Sequence, residues 1–234
     1  FLNVKGEHKF DIKQECVAKS AFWVTKKRYG QWIINDGGVT CDRLDVKGLD
    51  IVKSNFPSAM RDLMKDVLKS ILDETDKEII DEKIHTFKKS MKTLPIYDIA
   101  SPTGVRGLNK YKNTQRTKFK GKTIFTEIRK GTPIHVKSAI IYNDLLKHFG
   151  LNDSEPIRNN EKIKWVYLKQ NPLGVVNIAL KGYDDPQKIL DFVEQYIDRD
   201  KIFEGQLHKK INMFYEAMSW EFLVDKNENV GKFF

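Results

Sequence analysis

The sequence lacks long hydrophobic runs and is poor in cysteine. No apolar stretch approaches the roughly 20 residues that a membrane-spanning helix needs, so we expect no membrane span. Of the 234 residues only Cys16 and Cys41 are cysteines. No signal peptide precedes them, which favours free thiols in a reducing cytoplasm over a disulfide across a hairpin. The five histidines show no zinc-like spacing with either cysteine, so we expect no structural metal.

Negative charge is also in short supply. The chain has 41 Lys and Arg against 32 Asp and Glu, which gives a formal net charge of +9. An apolar fraction of 40% is enough for a sizeable core, so wholesale disorder is not expected. The basic excess favours a polyanionic partner and a salt-sensitive association with it.

The shortage of acid is most marked between Asp98 and Glu127. This stretch contains no acidic residue and seven basic ones, which are Arg106, Lys110, Lys112, Arg116, Lys118, Lys120 and Lys122. Gly, Asn, Thr and Ser fill much of the remainder, with little apolar periodicity. Such a composition predicts either a solvated mobile loop or a loop that follows the phosphates of a nucleic acid.

The first 45 residues contain β-prone segments and no helical pattern. Strands are predicted at residues 10–17 and 21–34, and a short one near 44–48. The second segment contains Lys26, Lys27, Arg28 and Tyr29. Because side chains alternate along a strand, Lys27 and Tyr29 would share one face and Lys26 and Arg28 the other. This pattern favours either an edge strand protected by lysines or a strand beside a polyanion.

Helices are predicted from Pro57 onward, since proline favours the first position of a helix. An apolar face with helical spacing follows it, made of Met60, Leu63, Met64, Val67, Leu68, Ile71 and Leu72. Further helices are predicted at residues 75–92, 133–148, 186–197 and 200–220, and paired strands at 162–170 and 175–181. The fold class is therefore α+β: a short β-rich part, then a mostly helical part with a small β-hairpin.

Several short motifs follow one another along the chain. They are Lys26-Lys27-Arg28-Tyr29, Lys47-Gly48, Lys53-Ser54 before Pro57, Gly131 to Asn143, Asn171-Pro172-Leu173-Gly174 and Gly231-Lys232-Phe233-Phe234. Together they resemble the family B DNA polymerases of T-even-like bacteriophages over essentially the whole chain. The resemblance implies the C-terminal strip of the palm over residues 1–48, the thumb domain over 49–224 and a flexible tail over 225–234.

The motifs that carry polymerase chemistry do not occur in this sequence. The family holds two metal ions with carboxylates of an Asp-x-x-Ser-Leu-Tyr-Pro-Ser motif and a Tyr-Gly-Asp-Thr-Asp-Ser motif. Its nucleotide-gripping Lys-x-x-x-Asn-Ser-x-Tyr-Gly helix is also missing. The resemblance implies that these parts, the fingers and any exonuclease lie upstream, in a complete polymerase that uses Mg²⁺. The chain begins with Phe1, which fits a piece of a longer reading frame, and alone we expect it not to polymerise.

The resemblance implies that the Lys-Lys-x-Tyr segment holds primer–template duplex near the primer terminus. Lysines would meet phosphates, or minor-groove acceptors that every base pair offers. The expected DNA-binding residues are Lys26, Lys27, Arg28, Tyr29, Lys47, Gly48, Lys53, Ser54, Arg106, Lys110, Lys112 and Lys137. His135 is expected to be a packed or capping residue rather than a catalytic one.

The tail ends in two aromatic residues. The resemblance implies that Val230, Lys232, Phe233 and Phe234 dock into a pocket of the sliding clamp. Burial of each phenylalanine would contribute about 1.5–3 kcal/mol. The alternative is that the tail folds back onto the surface of the chain itself.

The expected function is to hold duplex DNA and to tether the polymerase to its clamp during replication in a phage-infected bacterial cell. Two alternatives remain open. One is a non-catalytic nucleic-acid-binding adaptor unrelated to polymerases. The other is a small metal-dependent nuclease that uses carboxylates such as Asp81 and Glu82 beside Lys83.

Overall fold

The computed structural model describes residues 13–119 and 122–221, with the backbone alone for residues 112–119 and 122–127. Its first unit is a three-stranded antiparallel sheet of order β1-β2-β3. The strands are β1 (Cys16–Thr25), β2 (Arg28–Asp36) and β3 (Val39–Lys47). The β-rich character predicted for this part is confirmed, and the part of the first predicted strand before residue 13 lies outside the described residues.

This sheet packs against α1 (Ser58–Leu72) and α8 (Lys209–Ala217). Phe22 is buried, and its ring meets Phe214 of α8 edge-on at 5.3 Å between centroids. Gly30 lies so close to α1 that a Cβ there would be 2.7 Å from the Leu68 Cδ2. Two helices therefore pack against the sheet. One is α1, which follows the sheet closely in sequence, and the other is α8, which lies much later in the chain.

A 3₁₀ turn and four helices follow the first sheet along the chain. A 3₁₀ turn (Asp50–Val52) precedes α1, and α2 (Lys77–Ser90), α3 (Ile96–Ile99) and α4 (Leu108–Tyr111) follow it. All seven apolar residues of the predicted α1 face, from Met60 to Leu72, are buried. Helical periodicity predicted this face correctly because α1 covers the sheet on one side and contacts α2 and α3 on others.

The second sheet has the order β4-β7-β8 and is antiparallel. It consists of β4 (Ser101–Gly104), β7 (Lys162–Tyr167) and β8 (Asn177–Leu180). The predicted hairpin around residues 171–174 is confirmed as β7 and β8, to which β4 adds a third strand. Helix α5 (Ile134–His148) lies against β8, and the four residues of β8 are all buried.

The stretch predicted as a loop between Asp98 and Glu127 is instead largely ordered structure. Besides β4 and α4 it contains an antiparallel hairpin of β5 (Lys112–Phe119) and β6 (Lys122–Ile128). The loop prediction was wrong because a two-stranded ribbon does not require apolar alternation, and its many threonines favour an extended backbone. The hairpin is anchored where the Arg129 amide donates to the Tyr111 carbonyl at 3.3 Å and where β6 meets α5.

The last helices are α6 (Gln187–Tyr196), α7 (Arg199–Phe203) and α8, with a π-helical turn (Glu204–His208) between α7 and α8. The single helix predicted at residues 200–220 is thus interrupted. Buried side chains from both sheets and from α1, α2, α5, α6, α7 and α8 form one continuous core. The boundaries at residues 48/49 and 224/225 stay predictions.

Cys16 on β1 and Cys41 on β3 are free, and β2 lies between their strands. The Cys41 Sγ donates to the Ile33 carbonyl at 3.6 Å. Among the described residues no helix is both long and apolar enough to cross a bilayer.

Candidate nucleic-acid interface

The adjacent cations of the Lys-Lys-Arg-Tyr motif do not share one strand. Thr25 pairs with Arg28, so Lys26 and Lys27 form the turn between β1 and β2. Both lysines are exposed, and neither makes an ion pair with a residue that the structure describes. The predicted alternation of all four side chains on one strand was therefore wrong. The turn carries its two charges outward, away from the sheet.

Gly48 holds this turn against the end of β3. Its φ is +70°, a conformation that residues with a Cβ rarely adopt. A Cβ at this position would lie 2.1 Å from the carbonyl oxygen of Lys27. The backbone of the turn therefore approaches Gly48 more closely than any other residue type allows. This close contact fixes where Lys26 and Lys27 stand.

The side chains of Arg28 and Tyr29 lie on opposite faces of the sheet. The Arg28 Nη1 donates to the Met213 Sδ at 3.5 Å, which directs the guanidinium toward α8. Tyr29 lies on the outer face, where its ring stacks on Trp23 with 4.4 Å between centroids. Lys47 is opposite Tyr29 in the β2–β3 register, and the Lys47 Nζ lies 3.8 Å from the Asp45 Oδ2.

We define the hairpin cluster as Lys26, Lys27, Arg28, Tyr29, Lys47 and Gly48. They form the β1–β2 turn, the start of β2, the end of β3 and the residue that follows β3, all at one end of the first sheet. Asp45 is the acid paired with Lys47, and the turn itself has none. A turn with exposed lysines suits contact with the phosphates of a duplex.

Lys53 and Ser54 lie beside the cluster but in a different electrostatic setting. The Lys53 Nζ is 2.9 Å from the Asp50 Oδ1, and the Lys210 Nζ of α8 is 3.4 Å from the Asp50 Oδ2. Lys53 is thus partly neutralised rather than an isolated point charge. Arg61 donates to the Lys53 carbonyl at 3.1 Å and so occupies the space before α1, while Ser54 stays exposed.

Three further predicted residues form a second set, which we call the α4–α5 group. Arg106 precedes α4, Lys110 lies within it and Lys137 is in the first turn of α5, which α4 contacts. Arg106 and Lys110 are exposed and Lys137 is half-buried. The Lys110 Nζ lies 5.4 Å from the centroid of the Tyr111 ring. The hairpin cluster, by contrast, stands on the sheet that packs against α1 and α8.

Some predicted residues lie outside what the structure describes. The backbone of Lys112 begins β5, but its side chain is outside the described part. Val230, Lys232, Phe233 and Phe234 also lie outside it. Their roles stay predictions.

His135 is half-buried in the first turn of α5. Burial lowers its pKa below the usual 6.5, because the surroundings disfavour the charged imidazolium. The neutral form is therefore the stable one near pH 7. This is the setting of a packed histidine.

The carboxylates considered for a nuclease take part in structural links. Asp81 accepts from the Tyr215 hydroxyl at 2.5 Å and pairs with Lys77 at 2.5 Å. Lys83 binds Asp66 at 2.9 Å. Among the side chains that the structure describes, no three from His, Cys, Asp or Glu stand close enough together to hold a metal ion.

A groove with a volume of about 660 Å³ lies between α1 and α2. Its lining is mostly apolar, and Asp66, Glu78 and Glu82 stand around it with Lys83. Acidic groups repel a phosphate backbone. This groove therefore suits DNA less well than the hairpin cluster does.

Comparison with known proteins decides which family these features belong to. Residues 3–218 match the family described as DNA polymerase family B. The chain belongs to DNA polymerase family B. It is also 23% identical over 205 residues to the DNA-directed DNA polymerase of Enterobacteria phage T4, which covers 86% of this chain. The chain spans about a fifth (21%) of the length of that curated relative.

Sequence reasoning missed three residues around the family B hairpin cluster. Trp23 was noted only as part of a β-prone run, and the register that stacks it on Tyr29 required the fold. Lys210 reaches Asp50 from α8, so no local pattern marks it. Arg61 is half-buried on the polar side of α1, where a single arginine carries no distinctive sequence signal.

Proposed function

We propose that this chain is the duplex-holding part of a family B DNA polymerase, and that polymerase residues outside this chain supply the two-metal chemistry. Membership of the family supports the DNA substrate. The hairpin cluster supports the mode of binding, since Lys26 and Lys27 are exposed without acidic partners among the described residues. Contacts to phosphates and to minor-groove acceptors hold a duplex without reading its sequence, which a replicating enzyme requires.

The α4–α5 group would extend the same contact. Arg106 and Lys110 are exposed beside the β5–β6 hairpin, whose sequence carries only basic charge up to Glu127. A duplex that touched both sets would release more counterions than one held by the hairpin cluster alone. The salt dependence of binding therefore reports how many cations take part.

The first experiment measures duplex binding by fluorescence anisotropy across a range of salt concentrations. The double variant Lys26→Gln/Lys27→Gln should reduce the slope of log K against log salt by about 2, because each lost phosphate contact removes about 0.9. The control is Lys147→Gln/Lys188→Gln, which removes the same charge from exposed positions on α5 and α6. Equal losses in the two double variants would show that overall charge, and not the hairpin cluster, drives binding.

We also propose that residues 225–234 tether the polymerase to its sliding clamp. The support is the resemblance of Gly231-Lys232-Phe233-Phe234 to the tail of related phage polymerases. Phe233→Ala/Phe234→Ala should abolish retention on immobilised clamp from the same phage while leaving duplex affinity unchanged. Asn227→Ala/Asn229→Ala in the same segment is the control. Undiminished retention of the phenylalanine variant would refute the tether.

A further inference from the structure

Trp23 is the large aromatic residue that the proposed function leaves unexplained. Its exposed fraction is 52%, although its neighbour Phe22 is buried in the core. The strand register pairs Trp23 with Tyr29, and Tyr29 with Lys47. These three side chains therefore form a row on the outer face of the sheet, opposite α1 and α8. Tryptophan and tyrosine are enriched at interfaces, so this exposed row is a candidate contact surface.

The stacking geometry leaves part of this row accessible. The Tyr29 ring covers one side of the indole, at 4.4 Å and an interplanar angle of 37°. With this contact in place Trp23 still keeps an exposed fraction of 52%. Lys26 and Lys27 follow in the adjoining turn. An aromatic surface next to cations without acids is the composition that binds unpaired nucleotides, because bases stack on rings and phosphates meet lysines.

A base inside a duplex does not offer the same contact. Its faces are covered by neighbouring base pairs, so that only edges, sugars and phosphates are accessible. We propose that the Trp23–Tyr29 pair stacks on an unpaired nucleobase of a single-stranded DNA segment, while Lys26 and Lys27 hold its phosphates. This inference rests on the proposed binding of DNA at the hairpin cluster and adds a single-stranded ligand to it.

The charges around the row of Trp23, Tyr29 and Lys47 determine on which side the phosphates of a bound strand lie. The Asp45 Oδ2 lies 3.8 Å from the Lys47 Nζ. Asp45 is opposite Gln31, which is two residues after Tyr29 on β2. This carboxylate disfavours phosphates on the β3 side of the row. The phosphates therefore pass over the β1–β2 turn, and the base points toward Trp23.

The test compares two ligands on the whole chain, a labelled oligo-dT single strand and a blunt-ended duplex of mixed sequence. Trp23→Ala should weaken single-strand affinity about 5- to 150-fold, the range for loss of one stacked base. Duplex affinity should change less than twofold. Trp23→Phe keeps an aromatic plane and should retain most of the single-strand affinity. Tyr183→Ala removes an aromatic that is 64% exposed near the second sheet and should change neither affinity.

The outcomes separate this inference from the proposed function. Equal weakening toward both ligands would overturn the stacking role, because Trp23 would then support the duplex surface as a whole. Unchanged affinity for both would also overturn it. Failure of the unmodified chain to bind the duplex would refute the proposed function itself. Circular dichroism of Trp23→Ala and Trp23→Phe checks that both fold alike.

Discussion

Substitution of Gly48 by alanine tests how the β1–β2 turn is held in place. Two costs apply at this position. A residue with a Cβ at φ of +70° costs about 1–2 kcal/mol in the left-handed conformation. The added Cβ would also stand 2.1 Å from the Lys27 carbonyl oxygen, which must retreat by about 0.9 Å to reach the 3.0 Å minimum for real contacts. Forced backbone shifts of this kind cost about 1–3 kcal/mol.

Gly37 provides the matched control. It lies in the β2–β3 turn with φ of +59°, and a Cβ there would meet nothing within 4 Å. Gly37→Ala should therefore carry the conformational cost alone, and Gly48→Ala should lose about 1–3 kcal/mol more. For a chain of this size that difference lowers the midpoint of thermal unfolding by a further 2–12 °C or so. Urea unfolding followed by tryptophan fluorescence gives the same comparison at constant temperature.

Duplex affinity provides a second test with the same two glycine variants. Gly48→Ala should weaken duplex affinity, because the retreat of the Lys27 carbonyl displaces the turn that carries Lys26 and Lys27. Gly37→Ala should bind duplex as the unmodified chain does. If the two variants proved equally stable and bound duplex equally well, the close contact at Gly48 would not be what positions the turn.

Three further predictions concern single polar contacts. Asp50→Asn should raise duplex affinity and steepen its salt dependence, since it releases two lysines that the carboxylate now pairs; anisotropy measures both. Tyr215→Phe removes the hydroxyl that donates to Asp81 and should lower the free energy of unfolding by about 1.5–3 kcal/mol, whereas exposed Tyr183→Phe should change it little. Burial lowers the pKa of His135, so the unfolded state binds its proton more readily; stability should fall as pH drops below 6.5, and His135→Gln should reduce that loss in urea titrations at pH 7 and 5.

Local sequence signals predicted the bounds of α5 and α6 closely. Predicted bounds of 133–148 and 186–197 differ by a residue or so from Ile134–His148 and Gln187–Tyr196. Proline precedes both helices and sets their starts. The apolar face of α1 was also correct in every residue. These features depend on near neighbours in sequence, which a single sequence contains.

The β1–β2 turn could not be found in the same way. Lys26 and Lys27 are not typical turn residues, and neither has a positive φ. The turn follows instead from the register of the strands, which shifts between Trp23 and Thr25, and from the contact with Gly48. Both depend on pairing that forms only in the folded sheet.

The net charge of the sequence indicates a kind of partner but does not identify the residues that would bind it. The excess of +9 pointed to a polyanionic partner, but it treats every lysine alike. In the fold Lys53 and Lys210 share the single carboxylate of Asp50, which offsets part of their charge. Lys26 and Lys27 have no such partner among the described residues, and the turn holds them away from the sheet. A phosphate gains most where a cation has no competing carboxylate, so these two lysines should dominate binding although they are a small part of the total charge.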